Sequence, residues 1–202
     1  KSKMTVGSLL WVPPVHLAST PPADARMRAF AKDSFDAPLS VYPMGCIESQ
    51  SFPKGWFVNT KEVRLGLGRT TFLRGVASLE ELKCMHHPWL RVYEDHGMLI
   101  VCARQFGFVW LMNANRMLPR VRSPTSTMVG WQCTQKHVLA GEEQLRVMWD
   151  RESDAVTFRV LSYSRPRHPL AVLALPVVLL QQRRFASDAA RLMQAAAANP
   201  VS

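Results

Sequence analysis

Apolar and polar residues alternate twice between Leu145 and Val160. Leu145, Val147 and Trp149 are followed, across the polar stretch 150–154, by Val156, Phe158 and Val160. Successive side chains of a strand point to opposite faces, so each run presents one dry face, and the short connection makes the pair a hairpin. A dry sheet face has to be covered. Beyond Pro169 or Pro176, either of which is tolerated in a first helical turn, Val178, Phe185, Ala189, Leu192 and Ala196 recur at helical spacing toward Ala198. Arg183, Arg184, Asp188 and Arg191 fall largely off that stripe. A long terminal helix lying on the sheet is the expected cover.

The rest of the chain extends this plan. Phe72, Val76, Leu79 and Leu82 predict an amphipathic helix ending by Pro88, although Ser78 and Glu81 form a capping box that would start it at Leu79 instead. Segments 98–103, 108–112, 117–121 and 127–133 read as strands, giving an α+β domain with an antiparallel sheet of about six strands. Seven of the 14 prolines lie before residue 62, beside Trp11, Phe30, Phe35, Tyr42, Phe52, Trp56 and Phe57. Residues 1–62 are therefore expected to be an irregular arm, with a short helix at about 23–32, lying against something apolar. Residues 63–202 form the domain.

Cys46, Cys84, Cys102 and Cys133 contain no CxxC pair, so reduced, buried thiols are expected. The longest apolar run, 170–180, contains Pro176 and is too short for a membrane span. The first residue is Lys1, which is compatible with removal of an import sequence and gives a mitochondrial location as an expectation.

Charge is the strongest functional signal. The chain carries 25 basic and 15 acidic residues, a formal charge of +10, of which +8 falls beyond residue 62. No carboxylate occurs from His96 to Gly141. Arg104, Arg116, Arg120, Arg122 and Lys136 lie in that stretch, and Arg165, Arg167, Arg183 and Arg184 follow, so a phosphate-facing surface is expected at these nine positions.

Chemistry-bearing clusters are sparse. His137 near Glu142 and Glu143 is the best acid–base candidate. Ser164 lacks a nucleophile elbow, Gly66 and Gly68 only faintly echo a phosphate loop, and Cys84, His86, His87 and His96 are badly spaced for zinc. No metal or other cofactor is expected. Trp110, Trp131, Trp149 and Phe158 could line a pocket between sheet and helix, although plain core packing is the expectation for most of them.

The stretch HVLAGEEQLRVMWDRESDAVTFRVLSYSRPRHPLAVLALP from His137, with LQQRRFASDAARLM after it, resembles the uncharacterised protein family 0548, also called domain-of-unknown-function family 1990. The shared pattern is His137, Gly141, Glu142 and Glu143, a hairpin, then Tyr163, Ser164, Arg165 and Pro166 before the closing helix. ARQFGFVWLMNANRM and LGLGRTTF resemble earlier parts of that family, and the likeness covers about residues 63–194. Two departures are the stretch 131–136, where the family has a small, Gly-containing strand, and the region of Cys84, where it has a helical Trp. The resemblance implies a domain type rather than an activity, with an order of elements similar to the helix-grip architecture, a curved antiparallel sheet holding a long C-terminal helix.

Three functional expectations follow. The first is a non-catalytic subunit of a large RNA–protein assembly, best guessed as a mitochondrial ribosome, touching rRNA and neighbouring proteins, with the arm docked along a neighbour. The second is a binding module for a small apolar ligand between sheet and helix. The third is an enzyme using His137 with Glu142 or Glu143.

Overall fold

The computed structural model describes residues 11–198. In chain order the elements are β1 (Val15–Leu17), α1 (Asp24–Ser34), the single turn α2 (Cys46–Ser49), β2 (Phe57–Leu67), α3 (Gly68–Glu80), a 3-10 turn (Lys83–Met85), β3 (Leu90–Asp95), β4 (Met98–Gln105), β5 (Val109–Met117), β6 (Val121–Ser123), β7 (Ser126–Cys133), β8 (Leu139–Trp149), β9 (Ala155–Pro166), α4 (Pro169–Leu173) and α5 (Leu175–Ala198).

The expected hairpin is β8–β9, paired from Leu139 opposite Pro166 to Trp149 opposite Val156. It sits inside one antiparallel sheet of order β2-β9-β8-β7-β5-β4-β3, with β1 added to β5 and β6 added to β7. Among the described residues, nine strands replace the expected six. β2 is missed because FVNTKEVRLGL shows no apolar alternation; it is an edge strand held by its ladder with β9. β5 meets β7 only at Asn115, Arg116 and Met117, and β1 takes up the edge that β5 leaves open at Val109, Trp110 and Leu111. An unpaired edge is a hazard for strand addition, and the amino-terminal segment caps this one.

Both sheet faces are covered. On one, α3 and α5 close over Val129, Trp131, Leu145, Val147, Phe158 and Val160, so the hairpin's dry face is the centre of the main core. Complete burial of a side chain such as Phe158 contributes about 1.5–3 kcal/mol. α3 approaches closely because Gly75 faces β8: a Cβ there would lie 3.1 Å from Val147 Cγ1. The helix runs straight through Ser78, which is buried, so the Ser78–Glu81 capping box is not used.

On the opposite face, Met27, Phe30 and Ala31 of α1 pack on Met98, Ile100, Cys102, Trp110 and Met112. These α1 residues share one helical stripe, and Asp24 lies favourably at the positive end of the helix. Leu99 belongs to the first core and Ile100 to the second, which is why 98–103 reads as a continuous apolar run. A third cluster places Tyr42, Cys46, Ile47, Phe52 and Trp56 around Leu161 and Tyr163. These residues of the arm thus pack on the chain's own sheet.

Pro176 occupies the first turn of α5, as expected for a residue without an amide hydrogen. Of the expected stripe, Phe185 and Ala189 are buried while Val178, Leu192 and Ala196 are half-buried, and the buried line continues through Met193 and Ala197. The architecture is a curved antiparallel sheet packed on a long C-terminal helix. Among the described residues, no helix is long and apolar enough to cross a membrane, and all four cysteines are free and buried.

Candidate functional site

Strand parity decides which polar groups reach the space between sheet and helix. Along β8, Leu145 and Val147 face α5 and α3, so Glu143 faces the same way and Glu142 faces the other. On β7 the same parity turns Trp131 inward, and on β5 it turns Asn115 inward. These residues, with Val101 and Ala103 of β4, Leu90 of β3 and Met85 of the 3-10 turn, wall a cavity of about 140 Å³. Trp89, His137 and three residues of α5, Gln181, Gln182 and Phe185, complete it.

The apolar walls are well fixed. Trp89 donates its indole N–H to Asp188 at 3.0 Å and is stacked on His87 at 5.3 Å between centroids. Arg184 lies 4.6 Å from the Trp89 ring. The helix side is held by Gln181 Nε2, which donates to the Arg104 carbonyl at 3.2 Å, and by Gln182 Nε2, which donates to Ser164 Oγ at 2.8 Å.

The polar groups are unusual. Burial pushes the Glu143 carboxyl up to about 8 from its ordinary value of 4.5, and neither a cation nor a hydrogen bond offsets it. Burial, followed by the nearby Arg167, lowers the His137 imidazole to about 3. His137 is therefore neutral, and because its Nδ1 accepts the Leu139 amide at 2.8 Å, its proton sits on Nε2. Asn115 Nδ2 donates to the Leu99 carbonyl at 3.3 Å, while its Oδ1 is buried without a partner, as is Gln181 Oε1.

Of the three acid–base candidates, the structure brings His137 and Glu143 to one cavity and leaves Glu142 out. Glu142 accepts from Gln144 Nε2 at 2.8 Å and from Gln132 Nε2 at 3.4 Å. Tyr42 donates to it from the arm at 3.3 Å. Its carboxyl group joins the arm to the sheet. A cavity lined by Asn115, Gln181 and Gln182 is not apparent from the sequence, and parity counted back from the hairpin is the signal that identifies Glu143.

Gly141 makes this corner of β8 possible. Its φ is +146°, and an added Cβ would lie 2.1 Å from the Tyr163 carbonyl oxygen. Only glycine lets the two strands approach here. Elsewhere, Gly66 marks a bulge in β2 and Gly68 opens α3 with its amide donating to the Asp154 carbonyl, so the LGLG segment serves the backbone.

The proposed pocket aromatics separate. Trp131 lines the cavity, Trp110 lies under α1, Phe158 is fully buried in the main core, and Trp149 stacks on Phe72. Trp149 belongs to a second depression, of about 330 Å³, rimmed by Arg69, Arg122 and Arg151. Burial holds the Cys84 thiol up at about 12, and among the described residues no three His, Cys, Asp or Glu side chains are grouped to hold a metal ion.

The cations expected to face RNA are mostly engaged within the chain. Arg116 donates to the Phe35 carbonyl at 2.6 Å, Arg167 to the Gln135 carbonyl at 2.8 Å, and Arg120 pairs with Glu94 at 3.5 Å. Arg122 pairs with Glu80, Lys136 with Asp33 and Arg184 with Asp188. Arg104 and Arg165 lie over the rings of Trp110 and Trp56. Arg183 is exposed on α5.

Fold and cavity together define an α+β domain of the helix-grip type, with an internal site between the sheet and its terminal helix. The chain belongs to the family described as domain of unknown function DUF1990, whose model matches residues 40–192. It is 26% identical over 150 residues to a UPF0548 protein of Arabidopsis thaliana, covering 69% of this chain and 72% of the relative. A UPF0548 protein of Deinococcus radiodurans is 27% identical over 196 residues, covering 88% of this chain and 96% of the relative. Among solved structures, a hypothetical protein of Helicobacter pylori aligns with a TM-score of 0.47 at 15% identity, over 77% of this chain and 95% of that one. Truncated norcoclaurine synthase from Thalictrum flavum gives 0.43 at 10% identity, over 72% and 96%.

These findings overturn the expectation of a ribosomal, RNA-binding subunit of a mitochondrial assembly. The relatives in Arabidopsis thaliana, Dictyostelium discoideum and Deinococcus radiodurans are UPF0548 proteins, not ribosomal proteins. The physical reason for the misreading is that sequence reveals the positive side chains but not their partners. Asp33, Glu80 and Glu94 are distant in sequence from the cations they meet.

Proposed function

We propose that this protein binds a small, mainly apolar molecule between α5 and the sheet, without transforming it. The observation that carries the reading is the cavity of about 140 Å³, whose walls are Met85, Leu90, Val101, Ala103, Trp131 and Phe185, with a few convergent polar groups. An apolar cavity of roughly 150 Å³ is enough for one aromatic ring. The site is therefore sized for a single-ring ligand. Native mass spectrometry of gently purified protein tests this: a reproducible bound small molecule, lost in Ala103→Phe, is expected. A wild-type protein that carries nothing and takes up no single-ring compound would overturn the reading.

A second reading, general acid–base catalysis, is favoured by one observation. Glu143, raised to about 8, shares the cavity with the neutral His137, and a carboxyl tuned near neutrality suits proton transfer. It requires a turnover that Glu143→Gln abolishes; an unchanged rate in that variant eliminates it.

A further inference from the structure

Every charged side chain around the cavity has been accounted for except one. Among the described residues no lysine or arginine lines it, and the ionisable residues of its wall are Glu143 and a neutral His137. An ionised Glu143 would stand in a largely apolar space without a counter-ion, an arrangement that is unfavourable unless a cation joins it. The remaining polar groups point the same way. Asn115 is 1% exposed, and its Oδ1 lacks a partner because Nδ2 is committed to Leu99. Gln181 Oε1 is likewise unpartnered, its Nε2 being committed to the Arg104 carbonyl and to Gln105. An ionised carboxylate and two amide oxygens are hydrogen-bond acceptors, and among the described lining residues no ammonium or guanidinium group stands against them.

Resting on the reading of the cavity as a small-molecule site, we propose that its ligand is a single-ring amine bound as the ammonium ion. Glu143 supplies the counter-charge, and the ring lies against Trp131, Val101 and Phe185. The amine class follows from need. An ammonium brings both the missing positive charge and several donors, whereas a carboxylate ligand would bring a second negative charge and more acceptors.

The groups that could compete for Glu143 are few. Cys84 in the 3-10 turn and Cys133 on β7 feel its charge, and burial keeps both thiols protonated. His137 faces it from the β7–β8 loop and is neutral. On α5, Asp188 is taken by Trp89, Arg184 and Arg191. On β4, the Arg104 side chain lies over Trp110 on the far side of the sheet. Amine binding therefore has to draw the proton off Glu143, and affinity rises with pH until that carboxyl is ionised.

The test is calorimetric titration of the full chain with benzylamine, toluene and benzoate at pH 6.5 and 8.5. With the Glu143 carboxyl at about 8, the ionised fraction and hence the benzylamine affinity should rise roughly 20-fold between these pH values. One proton should leave per molecule bound at the lower pH. Toluene should bind without pH dependence, benzoate should not bind, and Glu143→Gln should keep toluene while losing the preference for benzylamine. Should that variant not fold, the wild-type pH profile and proton count decide alone. Benzylamine no tighter than toluene, or an affinity that falls with pH because protonated Glu143 donates to its ligand, overturns the amine assignment and leaves the cavity reading intact. Failure of both toluene and benzylamine to bind overturns both.

Discussion

Glu142 and Glu143 are adjacent in the chain and lie on opposite faces of β8. Glu142 is tied to Tyr42, Gln132 and Gln144 on the arm side, while Glu143 stands in the cavity beneath α5. The period of two in a strand makes this separation unavoidable, and it divides two chemically identical residues into one that joins the arm to the sheet and one that faces the cavity. The consequences are measurable.

Replacing the cavity carboxyl should change how stability depends on pH. The folded-state value of Glu143 is raised from 4.5 to about 8, so over that window the folded protein keeps a proton that the unfolded chain has released. Stability falls as pH rises through it, with a limiting slope of about 1.4 kcal/mol per pH unit. His137 acts oppositely but lower: its value drops from 6.5 to about 3, so its contribution is complete above 6.5 and is lost as pH falls. Between pH 6.5 and 8 the Glu143 effect should stand alone. Denaturant titrations should show wild type weakening across that interval and Glu143→Gln not doing so.

The corner that aims Glu143 should be intolerant of any side chain. In Gly141→Ala the new methyl meets the Tyr163 carbonyl, at a φ that L-residues rarely adopt. A loss of about 3 kcal/mol in chemical denaturation is expected. By contrast, alanine at Gly97, whose Cβ would meet nothing within 4 Å, should cost only the strain of its φ of +76°.

The arm should prove integral to the sheet rather than an appendage. Met27 is 0% exposed among Met98, Ile100 and Trp110, so Met27→Ala should destabilise the whole fold by about 2–4 kcal/mol in a single transition. A separate, low-energy melting of residues 11–40 would contradict this. Circular dichroism and tryptophan fluorescence, compared through the same melt, distinguish the outcomes.

How much of this was legible follows the physics of each segment. The β8–β9 hairpin and α5 announce themselves because each has one dry face and one wet one. β4 was visible only as an apolar run, since both of its faces are buried, one under α5 and the other under α1. β2 and β3 carry little apolar alternation and are specified by their partners in the ladder. The buried line of α5 passes through Met193 and Ala197, each one residue and about 100° round the helix from Leu192 and Ala196, which stay half-buried at its edge. Of the site, Glu143 could be read by counting back from Leu145, and Trp131 was among the suspected pocket aromatics. Asn115 and Gln181 could not be read at all, because an amide facing a cavity and an amide facing water look alike in sequence. The basic residues misled for a related reason: their neutralising contacts are long-range.

The most direct measurement of the central claim is a toluene titration of the isotope-labelled protein, followed in amide and indole NMR spectra. Saturable shifts confined to Trp131, Val101, Ala103, Leu90 and Phe185, and absent from α1 and the Trp110 indole, are the predicted result. Spectra unchanged at the solubility limit of toluene, or shifts gathered around Phe72 and Trp149 at the other depression, would contradict it.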